Sequence, residues 1–167
     1  MKIICIFSPS VLFNFFTPKL AIMKALLLIF LYFLPAPVLW LGNFSDAEKQ
    51  AIATNHLILV NFSGTDWCGP CIRLRKEILE STAFEAYAAE HLVLVRADFP
   101  RQKKNQLSAQ QVKLNEALAD RYNPNGIFPY TLLIDERGKV LKTWDGYPNV
   151  TPENFVQEII KQELKTK

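Results

Sequence analysis

Two cysteines, Cys68 and Cys71, stand three positions apart in the sequence WCGPC, between an apolar run and an amphipathic run. Thiols at this spacing at the start of a helix can bring their sulfur atoms to bonding distance, about 2 Å. Such a pair could be a structural disulfide, part of a metal site or a redox-active dithiol. The remaining sequence distinguishes among these three kinds of site.

The structural and metal-binding interpretations are the weaker ones. A disulfide across so small a loop restricts the unfolded chain less than the longer loops that typically contribute a few kcal/mol. A structural zinc site needs four ligands, usually from a second cysteine pair or from spaced histidines. The third cysteine, Cys5, lies in an N-terminal apolar segment, and His56 and His91 stand far apart in the sequence. We therefore expect redox chemistry and no metal site.

The residues after the cysteines predict a helix that places these thiols at its N-terminus. Four apolar residues follow at near-helical spacing, namely Ile72, Leu74, Ile78 and Leu79. Pro70 falls in the first turn, where its missing N–H is tolerated. Cys68 is then expected at the exposed tip, where helix amides and the helix dipole favour the thiolate. Cys68 would attack a substrate disulfide and Cys71 would resolve the mixed disulfide, without metal or organic cofactor.

Residues 1–42 form a leader that differs in composition from the remaining chain. Three of the 19 lysine and arginine residues lie there, and all 16 acidic residues follow it. The domain predicted at 43–167 is thus neutral overall, which gives no electrostatic reason to expect DNA, RNA or an anionic lipid surface as partner. Its length fits one domain.

The leader has the layout of a secretory signal. The block ALLLIFLYFLPAPVLWLG follows Met23 and Lys24, so that a positive start precedes an apolar run and turn-forming residues. A cleaved signal and a retained membrane anchor both remain open, although Pro35 and Pro37 interrupt the block and favour cleavage. Translation could start at Met1 or at Met23. We expect an exported protein of the periplasm or envelope, which touches the membrane only through an uncleaved leader.

Periodicity and turn signals predict the order helix, strand, helix, strand, helix, strand, strand, helix. A capping box at Ser45–Glu48 starts the first helix, which ends near Asn55. The runs HLILVNF and LVLVRADF are predicted to be parallel strands joined by the helix after the cysteines. Further helices are expected up to about Tyr122, with Ser108 as cap, and from Pro152 onward, with Thr151 as cap; a hairpin lies between them. The basic segment 101–104 is either a solvated loop or a partner-recognition loop.

This order, with WCGPC after a buried strand and an isolated proline at Pro129 opening the third strand, resembles the thioredoxin superfamily. The resemblance spans 43–167. It implies an α/β protein with the thioredoxin-like fold, in which a central mixed sheet is flanked by helices. It also implies a thiol:disulfide oxidoreductase whose catalytic residues are Cys68 and Cys71, within an active-site loop that includes Trp67, Gly69 and Pro70.

The resemblance further implies a substrate-binding edge at Phe128, Pro129 and Tyr130. In the family this proline is cis and packs beside the disulfide, and the backbone of the preceding residue, here Phe128, pairs with an extended substrate. The alternative is a trans proline that only begins an edge strand. Tyr130 stands where many relatives have threonine, so the edge is expected to be bulkier.

The sequence departs from the family pattern at three positions. Asn61 replaces a buried aspartate, an extra residue precedes Trp67, and Leu94 stands where a lysine is often found in the next strand. Because asparagine cannot take up the proton that a carboxylate would relay from Cys71, we expect Asp66 or water to substitute, or turnover to be slower.

The dipeptide Gly69–Pro70 resembles that of the reducing members of the family. We therefore expect a reductase of protein disulfides, supplied with electrons by a membrane-bound or soluble thiol donor. A disulfide oxidase or isomerase is the alternative within the same class. A redox-inert binding module with the same fold is the alternative from another class.

Overall fold

Five strands form one mixed sheet in the order β1-β3-β2-β4-β5. The computed structural model describes residues 38–166. The strands are β1 (Trp40–Leu41), β2 (Leu57–Ser63), β3 (Leu92–Asp98), β4 (Tyr130–Ile134) and β5 (Val140–Asp145). Strand β3 runs parallel to both β1 and β2, whereas β4 is antiparallel to β2 and to β5. The predicted α/β fold with a mixed central sheet is confirmed.

Helices precede, connect and follow the strands. They are α1 (Phe44–Thr54), α2 (Gly69–Leu74), α3 (Thr82–His91), α4 (Ala109–Tyr122) and α5 (Pro152–Thr166). The predicted run after the cysteines is interrupted, because a π-helical turn at Arg75–Leu79 follows α2 and the Ser81 side chain caps α3. A short 3-10 turn at Lys103–Asn105 lies between β3 and α4.

The sheet separates two apolar clusters. Successive side chains of a strand point to opposite faces. Leu57 and Leu59 of β2 pack with α2, α3 and α5 in the first cluster. Ile58, Val60 and Phe62 pack with α1 and α4 in the second cluster. All seven residues of β2 are buried, as expected for a strand with helices on both faces. The strand that precedes the cysteines is therefore the best-covered element of the sheet.

The boundary that we expected between 42 and 43 is too late. Trp40 and Leu41 form β1 and pair with Leu94 and Val95 of β3. Trp40 also packs against the first cluster. The remaining predictions for the leader concern residues 1–37, which lie outside the described residues. Among residues 38–166, no helix combines the length and apolar character that crossing a membrane requires.

The cap of α1 also differs from the prediction. The side chain of Asn43, rather than that of Ser45, accepts the hydrogen bond at the helix start, from the Ser45 N–H at 3.0 Å. Asn43 donates in turn to Asp46. The other two predicted caps are confirmed, because Ser108 accepts from the Gln111 N–H and Thr151 from the Asn154 N–H.

We predict that Asn43→Ala lowers the free energy of unfolding by about 1 kcal/mol, because an amide at the start of α1 loses its acceptor. The matched variant Ser45→Ala should change it by less than about 0.5 kcal/mol, as for ordinary surface substitutions. Urea denaturation of both variants measures the difference. A larger effect of Ser45→Ala would restore the capping box as the helix start.

Candidate active site

The two cysteines form a disulfide at the start of α2. The Sγ–Sγ distance is 2.07 Å and the Cα–Cα distance is 5.2 Å. Cys68 is the N-cap residue, and its Sγ accepts the Cys71 N–H at 3.3 Å. Amides at a helix start favour negative charge, so this position favours the thiolate of Cys68 once the bond is reduced.

The sequence predicts an exposed first thiol, but both cysteines are buried in the oxidised protein. Cys68 is 5% exposed and Cys71 is 3% exposed. The exposed residues at this end of α2 are Gly69 and Pro70, which occupy its first turn as predicted. A disulfide that is to be attacked by Cys68 must therefore approach it past neighbouring groups, so the residues around Cys68 influence which disulfides react.

Trp67 is held against the backbone of the same loop. Its Nε1 donates to the Phe99 carbonyl oxygen at 2.7 Å. The ring lies so close to Gly64 that a Cβ there would be 2.3 Å from Trp67 Cε2, which explains the glycine at this position. The Arg101 guanidinium lies 3.7 Å from the ring centroid. Trp67 is thus fixed by contacts from two different loops.

The Phe128–Pro129 peptide bond is cis. Phe128 meets the rings of Trp67 and Phe99 edge to face, with centroid separations of 5.5 and 5.4 Å. The Pro129 carbonyl oxygen accepts the Gly146 N–H at 3.0 Å. The ladder between β2 and β4 begins only at Tyr130, so the peptide groups of Phe128 lie outside it.

Tyr130 has a different environment. Its ring centroid lies 6.3 Å from that of Phe62, and both residues belong to the cluster between the sheet and α1 and α4. Leu74 of α2, the helix that carries the cysteines, packs in the first cluster, on the other face of the sheet from Tyr130. The ring of Tyr130 is therefore engaged with the core, and its role at a substrate edge stays a prediction.

The residue opposite Asn61 in β3 is Arg96, not Leu94. Leu94 pairs with Leu59 and is buried in the first cluster. The Arg96 guanidinium stacks on Trp40 at 4.3 Å, and burial lowers the pKa of Arg96. Asn61 itself is buried and donates to Thr131 Oγ1 at 3.0 Å.

Asp66 is engaged with the loop after β3. Its carboxylate accepts the backbone N–H groups of Arg101 and Gln102, each at 2.9 Å, and the Asn105 side chain at 3.0 Å. These hydrogen bonds, that from Arg101 first, lower the pKa of Asp66. A carboxylate with a lowered pKa is a weaker base, so the expectation that Asp66 replaces the missing proton acceptor is not supported.

Three polar side chains that the sequence did not predict to interact lie together beside α2. Glu77 accepts hydrogen bonds from the Arg73 guanidinium and from the Tyr147 hydroxyl. The Arg73 contact lowers the pKa of Glu77, whereas Glu77 raises that of Tyr147. Tyr147 follows Gly146, which contacts Pro129, so this exposed group connects α2 with the segment after β5. Exposed ion pairs contribute little stability.

A protein family model matches most of this chain. Residues 44–163 match the family model of the thioredoxin-like domain. The chain belongs to this family. The resemblance that the motif and element order indicated is thereby confirmed.

Two proteins of Chlamydia pneumoniae are similar in sequence. The chain is 34% identical over 99 residues to one named disulfide bond reductase DsbH, and 26% identical over 118 residues to one named thioredoxin-related protein DsbJ. These matches span 58% of the length of DsbH and 33% of that of DsbJ.

Solved structures show the same fold. A structure of a DsbH oxidoreductase superposes with a TM-score of 0.68 at 29% identity, covering 76% of this chain and 85% of that one. A thioredoxin from Thermus thermophilus superposes with a TM-score of 0.54 at 16% identity, covering 74% and 86%. The second likeness concerns the fold alone.

We predict that Asn61→Asp makes stability depend on pH. A carboxyl in this buried position has a raised pKa, so the substitution destabilises the fold least at pH values below about 3.9, the pKa of an aspartate in the unfolded chain. The free energy of unfolding then falls as the pH rises through the pKa of the aspartate in the folded state, and the loss at pH 8 is about 2–4 kcal/mol. Urea denaturation of the oxidised protein at pH 4 and pH 8 measures this, with the exposed Asn149→Asp as control. Equal losses at both pH values would contradict the burial argument.

We predict that protonation of the Asp66 carboxylate at acidic pH weakens its hold on the loop after β3. Because its pKa is lowered in the folded protein, its carboxylate stabilises the loop at pH values above the unfolded value, and this stabilisation disappears as the pH falls through the folded value. The amide proton shifts of Arg101 and Gln102 should titrate together in that acidic range. In Asp66→Asn this titration should vanish. Amide shifts that titrate equally in both proteins would exclude the Asp66 contact as their cause.

Proposed function

We propose that this protein is a thiol:disulfide oxidoreductase that reduces protein disulfides with the dithiol of Cys68 and Cys71. The observation that carries the proposal is the position of the Cys68 Sγ, which caps α2 and is bonded to the Cys71 Sγ three residues along. The similarity to a protein named disulfide bond reductase supports it. So does the contact of Phe128, which directly precedes Pro129, with the Trp67 ring beside Cys68.

The reaction follows from the geometry of the two sulfurs. In the reduced protein, the Cys68 thiolate attacks one sulfur of a substrate disulfide, so that a Cys68–substrate bond forms and the substrate disulfide breaks. The departing substrate thiolate takes up a proton. The Cys71 thiol then loses its proton and attacks the Cys68 Sγ, so that the Cys68–Cys71 bond re-forms and the Cys68–substrate bond breaks; the second substrate sulfur leaves as a thiolate and takes up a proton. The substrate gains two electrons and the protein loses them.

We assign substrate contacts to the surface next to Cys68. Trp67, Gly69 and Pro70 border the attacking sulfur, and an extended substrate would pair with the free peptide groups of Phe128. Pro129 fixes the direction of the chain at that point. The cycle requires no metal or organic cofactor, but it requires an external dithiol, membrane-bound or soluble, that reduces the Cys68–Cys71 bond again.

The leader supports export, and we propose a periplasmic or envelope location. In an oxidising compartment a cysteine pair closes unless a donor keeps it reduced, so a reductase there depends on its donor. N-terminal sequencing of the protein recovered from the envelope of the producing cell tests the location. An intact N-terminus in a soluble intracellular fraction would refute export.

We predict that Cys68→Ser abolishes reduction of insulin disulfides by the full chain, because no attacking sulfur remains. Cys71→Ser should instead accumulate a mixed disulfide between Cys68 and the substrate, since the resolving thiol is missing. The matched control Cys5→Ser, outside the domain, should retain the wild-type rate. If the variant lacking both Cys68 and Cys71 keeps the protein's function in cells, the protein is a binding module.

The direction of transfer is tested by equilibration with glutathione. A reductase should have a potential near that of thioredoxin, about −270 mV, whereas an oxidase should lie nearer to that of DsbA, about −120 mV. Mass spectrometry of alkylated protein gives the fraction reduced at each glutathione ratio. A value at the oxidising end would favour the oxidase or isomerase alternative.

A further inference from the structure

A cavity of about 440 Å³ opens beside Trp67, between the segment after β3 and helix α4. Its apolar lining includes Trp67, Phe99, Leu107, Val112 and Phe128. This volume falls within the range of ordinary ligand sites, about 300–1,000 Å³. The cavity borders the reactive site, because Trp67 directly precedes Cys68 and Phe128 directly precedes Pro129.

Two of the four polar residues that line the cavity, Asp98 and Asn115, are already paired within the protein. The Asp98 carboxylate accepts the Thr65 N–H at 2.9 Å and the Thr65 hydroxyl at 2.6 Å. The Asn115 side chain donates to the Asp98 carbonyl oxygen and accepts from Gln111. The lining therefore offers mainly ring and aliphatic surface. Three of its apolar residues are aromatic, and further rings pack favourably against their edges and faces.

The outer wall of the cavity depends on Asp66. The segment from Arg101 to Gln106 is exposed, yet the Asp66 carboxylate binds two of its backbone N–H groups and Asn105. The Asp66 carbonyl oxygen also accepts from the Gln102 side chain at 3.1 Å. This arrangement holds Arg101 over Trp67 and sets the position of the wall relative to the ring.

We propose, resting on the oxidoreductase function above, that this cavity receives an aromatic side chain of the polypeptide whose disulfide reacts with Cys68. Asp66 is the positioning residue for the cavity wall. An extended chain advances about 3.3–3.6 Å per residue, so residues within three positions of the substrate cysteine extend about 10 Å from it, and the aromatic residue is sought in that range. The protein thus selects disulfides with a neighbouring aromatic residue.

The test uses the reduced full chain and single-cysteine peptides linked as mixed disulfides to nitrothiobenzoate, whose release is followed by absorbance. The peptides carry either Phe or Ala at each of the three positions on either side of the cysteine. The measured quantity is the ratio of the rate constants for Phe and Ala, so a general change in thiol reactivity cancels. At one position or more, the wild-type ratio should be about tenfold.

Three variants assign the ratio to the cavity. Val112→Phe places a ring in the cavity and should lower the ratio toward one, whereas Lys113→Phe, at the next and exposed position of α4, should keep it. Asp66→Ala should lower the ratio, because the wall loses its anchor. Asp66→Asn, which retains an acceptor oxygen for the Arg101 N–H, should restore part of it.

Equal rates for all peptides, or a ratio that survives in Val112→Phe, would overturn the assignment of the cavity. A ratio unchanged in Asp66→Ala would overturn the role of Asp66. The oxidised wild-type chain provides a measurement independent of turnover and of the variants' folding. Titration with a Phe peptide whose cysteine is replaced by serine should shift the amide signals of 99–107 and Val112, and the Ala peptide should not. If no peptide releases nitrothiobenzoate, the oxidoreductase function fails, and this titration still decides the cavity.

Discussion

The hydrogen bond from the Cys71 N–H to the Cys68 Sγ is the interaction on which the site depends. It exists because a buried strand, β2, ends at Ser63 and a helix begins at Gly69, so that Cys68 occupies the cap between them. The Cys71 N–H that donates to the neutral disulfide here can donate to the Cys68 thiolate after reduction. The attacking and the resolving sulfur of the proposed cycle therefore both lie at the start of one helix.

The sequence predicts best what neighbouring residues determine. The cysteine spacing, the start of α2 and the caps at Ser108 and Thr151 depend on a few adjacent positions, and these predictions agree with the structure. At the start of α1 two competent caps, Asn43 and Ser45, stand two positions apart, and local rules do not decide between them. The structure uses the first.

Features that depend on distant pairing were missed. Strand β1 is only two residues long and is defined by its hydrogen-bonded pairing with β3. Two residues are too few to show a strand periodicity in the sequence. The neighbour of Asn61 depends on the register of β2 with β3, which places Arg96 there. The contacts of Asp66 reach residues 35 and 36 positions away. The only local signal for them was the extra residue before Trp67, combined with a carboxylate.

The basic segment 101–104 shows how one run of charges divides into different roles. Arg101 combines a backbone hydrogen bond to Asp66 with a guanidinium contact on Trp67, and both contacts act on the active-site loop. Lys103 and Lys104 are exposed and do not line the cavity beside Trp67. The expectation of a solvated loop fits Lys103 and Lys104, whereas recognition of a partner by this segment stays a prediction. In the proposed substrate cavity, Arg101 would act through its hydrogen bond to Asp66 and through its contact with Trp67, because its guanidinium already lies 3.7 Å from that ring centroid. Recognition there would then depend on the position of the loop more than on its net charge.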